Sequence, residues 1–87
     1  MAHSVSARKR VRQNARRREQ NAAMRSMFRT QIKRVLRAIH DGDKKSAEEA
    51  FRKAGPVIDK IAGKGLIHKN KAARHKSRLV KRIKALD

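Results

Sequence analysis

Arg8, Lys9, Arg10, Arg12, Arg16, Arg17 and Arg18 crowd the start of the chain. A second stretch, "GKGLIHKNKAARHKSRL" at 63–79, holds six lysines or arginines and no acid. Neither is arranged for covalent chemistry. No nucleophile stands at a recognisable spacing from a base, and no glycine loop is built to cradle a phosphate. His68 and His75 lack the further ligands a metal would need, and the chain has no cysteine. Glu48 and Glu49 are adjacent on a solvated turn, where they read as helix-capping residues rather than an acid–base pair. The pattern calls for no catalysis, cofactor or metal. What clustered guanidinium and ammonium groups do well is hold phosphate.

The charge supports that chemistry. The chain has 87 residues and a formal charge of +19, from 26 Lys or Arg against 7 acids. Such a density opposes compaction and attracts polyanions. It is also uneven: residues 1–40 carry net +11, residues 41–62 net zero, and residues 63–87 net +8. Two basic arms flank a neutral element. No apolar run has signal-peptide length or approaches the ~20 residues needed to span a bilayer. The expectation is a soluble, intracellular, cytoplasmic chain, and zero cysteines fit a reducing compartment.

Three helical stripes must position the charges. Met24, Met27, Phe28, Ile32, Val35, Leu36 and Ile39 follow three-and-four spacing. His40-Asp41-Gly42 ends that helix, with Gly42 placed for a left-handed cap. Ser46-Ala47-Glu48-Glu49 reads as a capping box opening the second helix. Its stripe is Ala47, Ala50, Phe51, Ala54, Val57, Ile58, Ile61 and Ala62. The stripe keeps its phase across Pro56, which predicts one bent helix, stopped by Gly63-Lys64-Gly65. A third stripe runs through Ala72, Leu79, Ile83 and Leu86, with Val80 at its edge. The prediction is an all-α fold, a three-helix bundle with a long, basic, protruding N-terminal helix. Residues 1–87 form a single domain, with 1–23 as the basic extension and 24–87 as the bundle. Methionines 24 and 27 read as core filler.

The first helix outgrows its apolar stripe. Helix-compatible sequence runs back to about Ser6, and residues 6–23 would project about 27 Å at ~1.5 Å per residue. Over that length Val11 is the only large apolar residue, and the arginines fall on every side of the wheel. Cations all round need an anion all round, or the segment stays disordered until it meets one. A membrane-surface helix would need an apolar face there, and none exists. Candidate contacts on this helix are Arg8, Lys9, Arg10, Arg12, Asn14, Arg16, Arg17, Arg18, Asn21, Arg25 and Arg29. In the third helix Lys71, Arg74, Arg78, Lys81 and Lys84 share one face. Lys69 and Lys76 point toward the Leu79 side, and their place early in the helix favours phosphate over a bundle-edge role. Phe28 and Phe51 are the only aromatics and both lie on core stripes, so stacking of single-stranded bases has no equipment. Backbone reading of a structured duplex remains. An RNA duplex suits it, but a histone-like protein compacting DNA shares the charge and size.

The run "GLIHKNKAARHKSRL" at 65–79 closely resembles the signature region of the bacterial and plastid small-subunit ribosomal protein twenty family. "SARKR", "NAAMRSMFRT" and "AIHDGDKKSAEEAFRKAGPVIDKIA" are similar to that family too, so the resemblance spans essentially the whole chain. It implies a three-helix bundle with a long first helix, bound directly to 16S ribosomal RNA in the small ribosomal subunit as an early assembly protein. Neither a membrane partner nor a homo-oligomer is expected. The family's RNA-facing residues map onto the arginines of 8–18 and onto His68, Lys69, Asn70, Lys71, Arg74, His75, Lys76 and Arg78.

Overall fold

The computed structural model describes residues 5–87. The first four, which the expected extension included, lie outside the described residues. Three helices follow in order: α1 over Val5–His40, α2 over Lys44–Gly63 and α3 over Lys69–Lys84. The chain is an all-α bundle with a long N-terminal helix, as the stripes predicted. Its principal extents are 63, 22 and 15 Å. The 36 residues of α1 account for about 54 Å of the longest axis at 1.5 Å per residue.

Both chain reversals use glycine to end a helix. Gly42 has φ +75° and Gly65 φ +77°, a region closed to most side chains. After α1 the N–H of Gly42 donates to the Ile39 carbonyl at 3.0 Å, and that of Asp43 to Ala38 at 3.2 Å. After α2 Gly65 donates to Ala62 at 3.0 Å and Leu66 to Ile61 at 3.3 Å. Each pair is a Schellman closure, in which carbonyls left without a helical donor are satisfied by the two residues that turn away.

The start of α2 differs from the expected capping box. The cap is Asp43, three residues before the expected serine, with extended backbone (φ −93°, ψ 93°). Its carboxylate accepts from the Ser46 N–H at 3.1 Å and from the Ser46 hydroxyl at 2.8 Å. Both residues have the side chains of helix caps. The carboxylate wins because it is the anionic acceptor at the positive end of the helix dipole. The backbone N–H and hydroxyl of Ser46 hold the Asp43 carboxyl below its usual 3.8.

The core is small and entirely apolar. Phe28, Ile32, Val35 and Ile39 of α1 meet Ala47, Ala54, Ile58 and Ile61 of α2 and Ala72, Leu79 and Ile83 of α3. Val35, Ile58 and Ile61 are sealed at its centre. Met24, Leu36, Phe51 and Val57 cover its edges. Met27 departs from the expected core stripe and is 49% exposed. Lying one position before Phe28, it is turned ~100° away from it, and α2 and α3 do not extend around to that side. Helix α2 is continuous through Pro56. Proline removes a bond to the Arg52 carbonyl, but both residues are exposed, so water can satisfy that oxygen. Helix α2 packs against both neighbours, whereas α1 and α3 touch each other least.

Phe28→Ala should cost about 3–5 kcal/mol in a core this thin, while Phe51→Ala, at its half-covered edge, should cost less. Urea denaturation of the two variants checks the order, and a larger loss at Phe51 would contradict this packing. Asp43→Ala should lower the melting temperature, whereas Asp43→Asn, which keeps an accepting oxygen, should retain most of it. Circular dichroism melts would show equal midpoints for all three proteins if the cap lay elsewhere.

Candidate nucleic-acid interface

Every residue from Arg8 to Gln20 is exposed, and the first core residue of α1 is Phe28. Arg8, Lys9, Arg10, Arg12, Asn14, Arg16, Arg17 and Arg18 therefore stand on a helix that packs against no neighbour over these turns. None of these cations forms an ion pair among the described residues. Asn21 is partly covered, and Arg25 and Arg29 are exposed beside the bundle. A cationic rod of this kind presents charge to its surroundings in all directions.

The basic residues of α3 are put to more varied use. Asn70, Lys71, Arg74 and Arg78 are exposed. His68 caps the helix: its Nδ1 accepts from the Asn70 N–H at 3.1 Å. That bond leaves Nε2 as the atom free to meet a partner. Lys76, expected on phosphate, pairs with Asp59 of α2 at 3.0 Å. It lies on the side of α3 that holds Leu79 and Ile83, and that side faces α2. Lys69 lines the same α2–α3 crevice. The ion pair is half in solvent and is worth little in itself. Its consequence is that the Lys76 charge is already partnered.

His75 is drawn toward the core. Its ring and that of Phe28 form a T-shaped pair, with centroids 5.3 Å apart and planes at 86°. Around this pair lies an open groove between α1 and α3 of about 510 Å3, which gathers Arg25, Arg29, Lys71 and His75. Its walls also include Lys33, Leu66 and Ile67, none of them singled out from the sequence. The available signal was Leu66-Ile67, an adjacent pair of large apolar residues inside an otherwise basic segment. Arg78 lines an adjoining stretch that shares Ile32, Leu36 and His75.

Partial burial, and then the charges of Lys71, Arg78 and Arg74, push the His75 imidazole below its ordinary 6.5. Arg25, Arg29 and Lys33 of α1 line the same groove and add no acid to oppose this. The sign follows from linkage. As pH falls below ~6.5 the unfolded chain binds a proton that folded His75 still refuses, so this contribution to stability is lost through the folded-state value. His75→Phe keeps an aromatic ring against Phe28 without a titrating group. Its melting temperature should therefore fall less than the parent's between neutrality and about pH 5. Identical slopes for the two proteins would show that His75 titrates normally.

Residues 2–84 match the family model of ribosomal protein S20. A small ribosomal subunit protein bS20 of Acinetobacter baumannii is 62% identical over 86 residues, covering 99% of this chain and 98% of the relative. Its counterpart in Acinetobacter baylyi is 60% identical, covering 99% and 97%. That of Shewanella oneidensis is 59% identical, covering 99% and 98%. With a match over nearly its whole length, a basic α1 rod and the bundle that carries it, the chain belongs to the ribosomal protein S20 family.

Proposed function

We propose that the chain is a non-enzymatic, structural component of the small ribosomal subunit in the cytoplasm. It binds 16S ribosomal RNA directly, through phosphate and sugar contacts of two basic arms, and stabilises RNA folding during assembly. The observation that carries this reading is the run Arg8–Arg18, helical, exposed on every side and without a carboxylate partner among the described residues. A helix that binds on one face needs cations on one face. This one suits a cleft between RNA segments, where phosphates approach from several directions. The small-subunit naming of the relatives supports the same partner. The exposed members of the second arm, Lys71, Arg74 and Arg78, add contacts from the bundle. His68 and Lys76 serve the protein's own structure as well. Among the described residues no helix is long and apolar enough to cross a membrane.

Replacing Arg16, Arg17 and Arg18 together with glutamine keeps helix propensity and removes three charges. Each phosphate contact contributes ~0.7–0.9 to the slope of log affinity against log salt. Engagement from all sides predicts a loss of about 2–3 in that slope, and docking on one face a loss of about 1. The melting temperature should stay that of the parent, since none of the three is in the core. The measurement is a salt titration of binding to in vitro transcribed 16S RNA, with duplex DNA as competitor. An unchanged slope would make the cluster a solvated tail, and equal competition by DNA would favour a DNA-compacting role.

A further inference from the structure

We propose that the groove between α1 and α3 is a binding site for one unpaired nucleotide of the RNA, its base lying against His75 and Ile67 and its flanking phosphates on the rim cations. The inference rests on the RNA-binding reading above and specifies a contact that backbone recognition alone does not include.

The groove is built of two kinds of surface. Its floor and walls are apolar, formed by Phe28, Ile32, Leu36, Leu66 and Ile67, with His75 beside them. Its rim is cationic, with Arg25, Arg29 and Lys33 from α1 and Lys71 from α3. No acid lines it or the adjoining stretch. A volume near 510 Å3 falls within the ~300–1,000 Å3 typical of small-ligand sites. A duplex backbone laid across it would satisfy the rim and leave the apolar floor against water or phosphate. Within RNA, the broad apolar surfaces are the base faces, and these are free only where a base has left the stack. A cationic rim around an apolar slot is therefore complementary to an extruded nucleotide: base in the slot, phosphates at the edge.

The aromatic pair makes the slot specific in shape. Phe28 is buried and offers no free face. It meets His75, whose ring is only partly covered, in a T-shaped pair, and so fixes the orientation of the one ring in this groove that a base can reach. Partial burial and the nearby cations lower the imidazole pKa, which disfavours a charge beneath the base. Both phenylalanines lie in or against the core as expected, and the proposal departs only from the expectation that stacking has no equipment. The stacking surface comes from a histidine, positioned by a phenylalanine.

The test uses the full chain and in vitro transcribed 16S RNA, comparing the parent with His75→Ala, His75→Phe and Ile67→Asn. Loss of one base stack should weaken binding on the order of 5- to 100-fold. The salt slope should stay that of the parent, because no phosphate contact is lost. His75→Phe should bind as the parent does. Ile67 lies in the connection between α2 and α3, outside every helix, so Ile67→Asn tests the slot even if His75→Ala melts early. Dimethyl sulfate probing should show an unpaired base protected by the parent and released by both weakened variants. Parental affinity and protection in Ile67→Asn would overturn the slot while leaving RNA binding intact. Unchanged RNA affinity combined with poor incorporation into subunits alongside the other ribosomal proteins would place a protein segment in the groove, and would equally overturn it. Failure of the parent to bind the RNA would remove the reading on which the proposal stands.

Discussion

Repulsion among like charges is the constraint that this architecture answers. With net +11 in residues 1–40 and +8 in residues 63–87, two helices that would repel each other must share one core. The neutral segment between them makes this possible. Helix α2 has three acids against five Lys or Arg and is the least charged of the three, and it packs against both neighbours, while α1 and α3 touch least. Burial of Ile58 and Ile61 against both sides supplies the cohesion that the charges oppose. Among the described residues, the one carboxylate that reaches across helices, Asp59 to Lys76, is on α2 as well.

From that arrangement the open side of the bundle follows. If α1 and α3 closed fully on each other, Arg25, Arg29 and Lys33 would approach Lys71 and Arg78 with no acid between them. They remain apart, and a groove with an apolar floor is left where a larger core would have filled it. Electrostatic strain in the isolated chain and readiness for an anionic partner are thus one feature. A bound polyanion relieves the repulsion that kept the helices separated.

Much of this was legible in the residues because it depends on periodicity and on backbone geometry. The stripes of α1, α2 and α3 predicted which faces are buried, and Gly42 and Gly65 sit where a left-handed residue is required. What escaped depends on distance between side chains. Asp43 and Ser46 are both good caps, and only the extended backbone at Asp43 shows which one serves. Met27 satisfies the helical spacing but lies beyond the reach of α2 and α3. His68 and His75 look alike within a basic run, yet one closes a helix and the other leans on Phe28 from a different element. Leu66 and Ile67 belong to no stripe, so periodicity could not assign them a role.

The continuity of α1 has a consequence for evolution of the chain's length. Because one unbroken helix runs from Val5 to His40, the outer arginines and the bundle are rigidly phased. Arg10 and Arg29 are separated by about 28 Å at 1.5 Å per residue, with no hinge between them. Inserting a single residue near Gln20 would advance everything outward by ~1.5 Å and rotate it by ~100°, presenting every outer side chain to the wrong neighbour. A change of about seven or eleven residues, close to two or three whole turns, would nearly restore the angle, and it would then displace the outer part by ~10–16 Å. The helix therefore acts as a ruler with a fixed zero, whose outer marks all shift together when its number of residues changes.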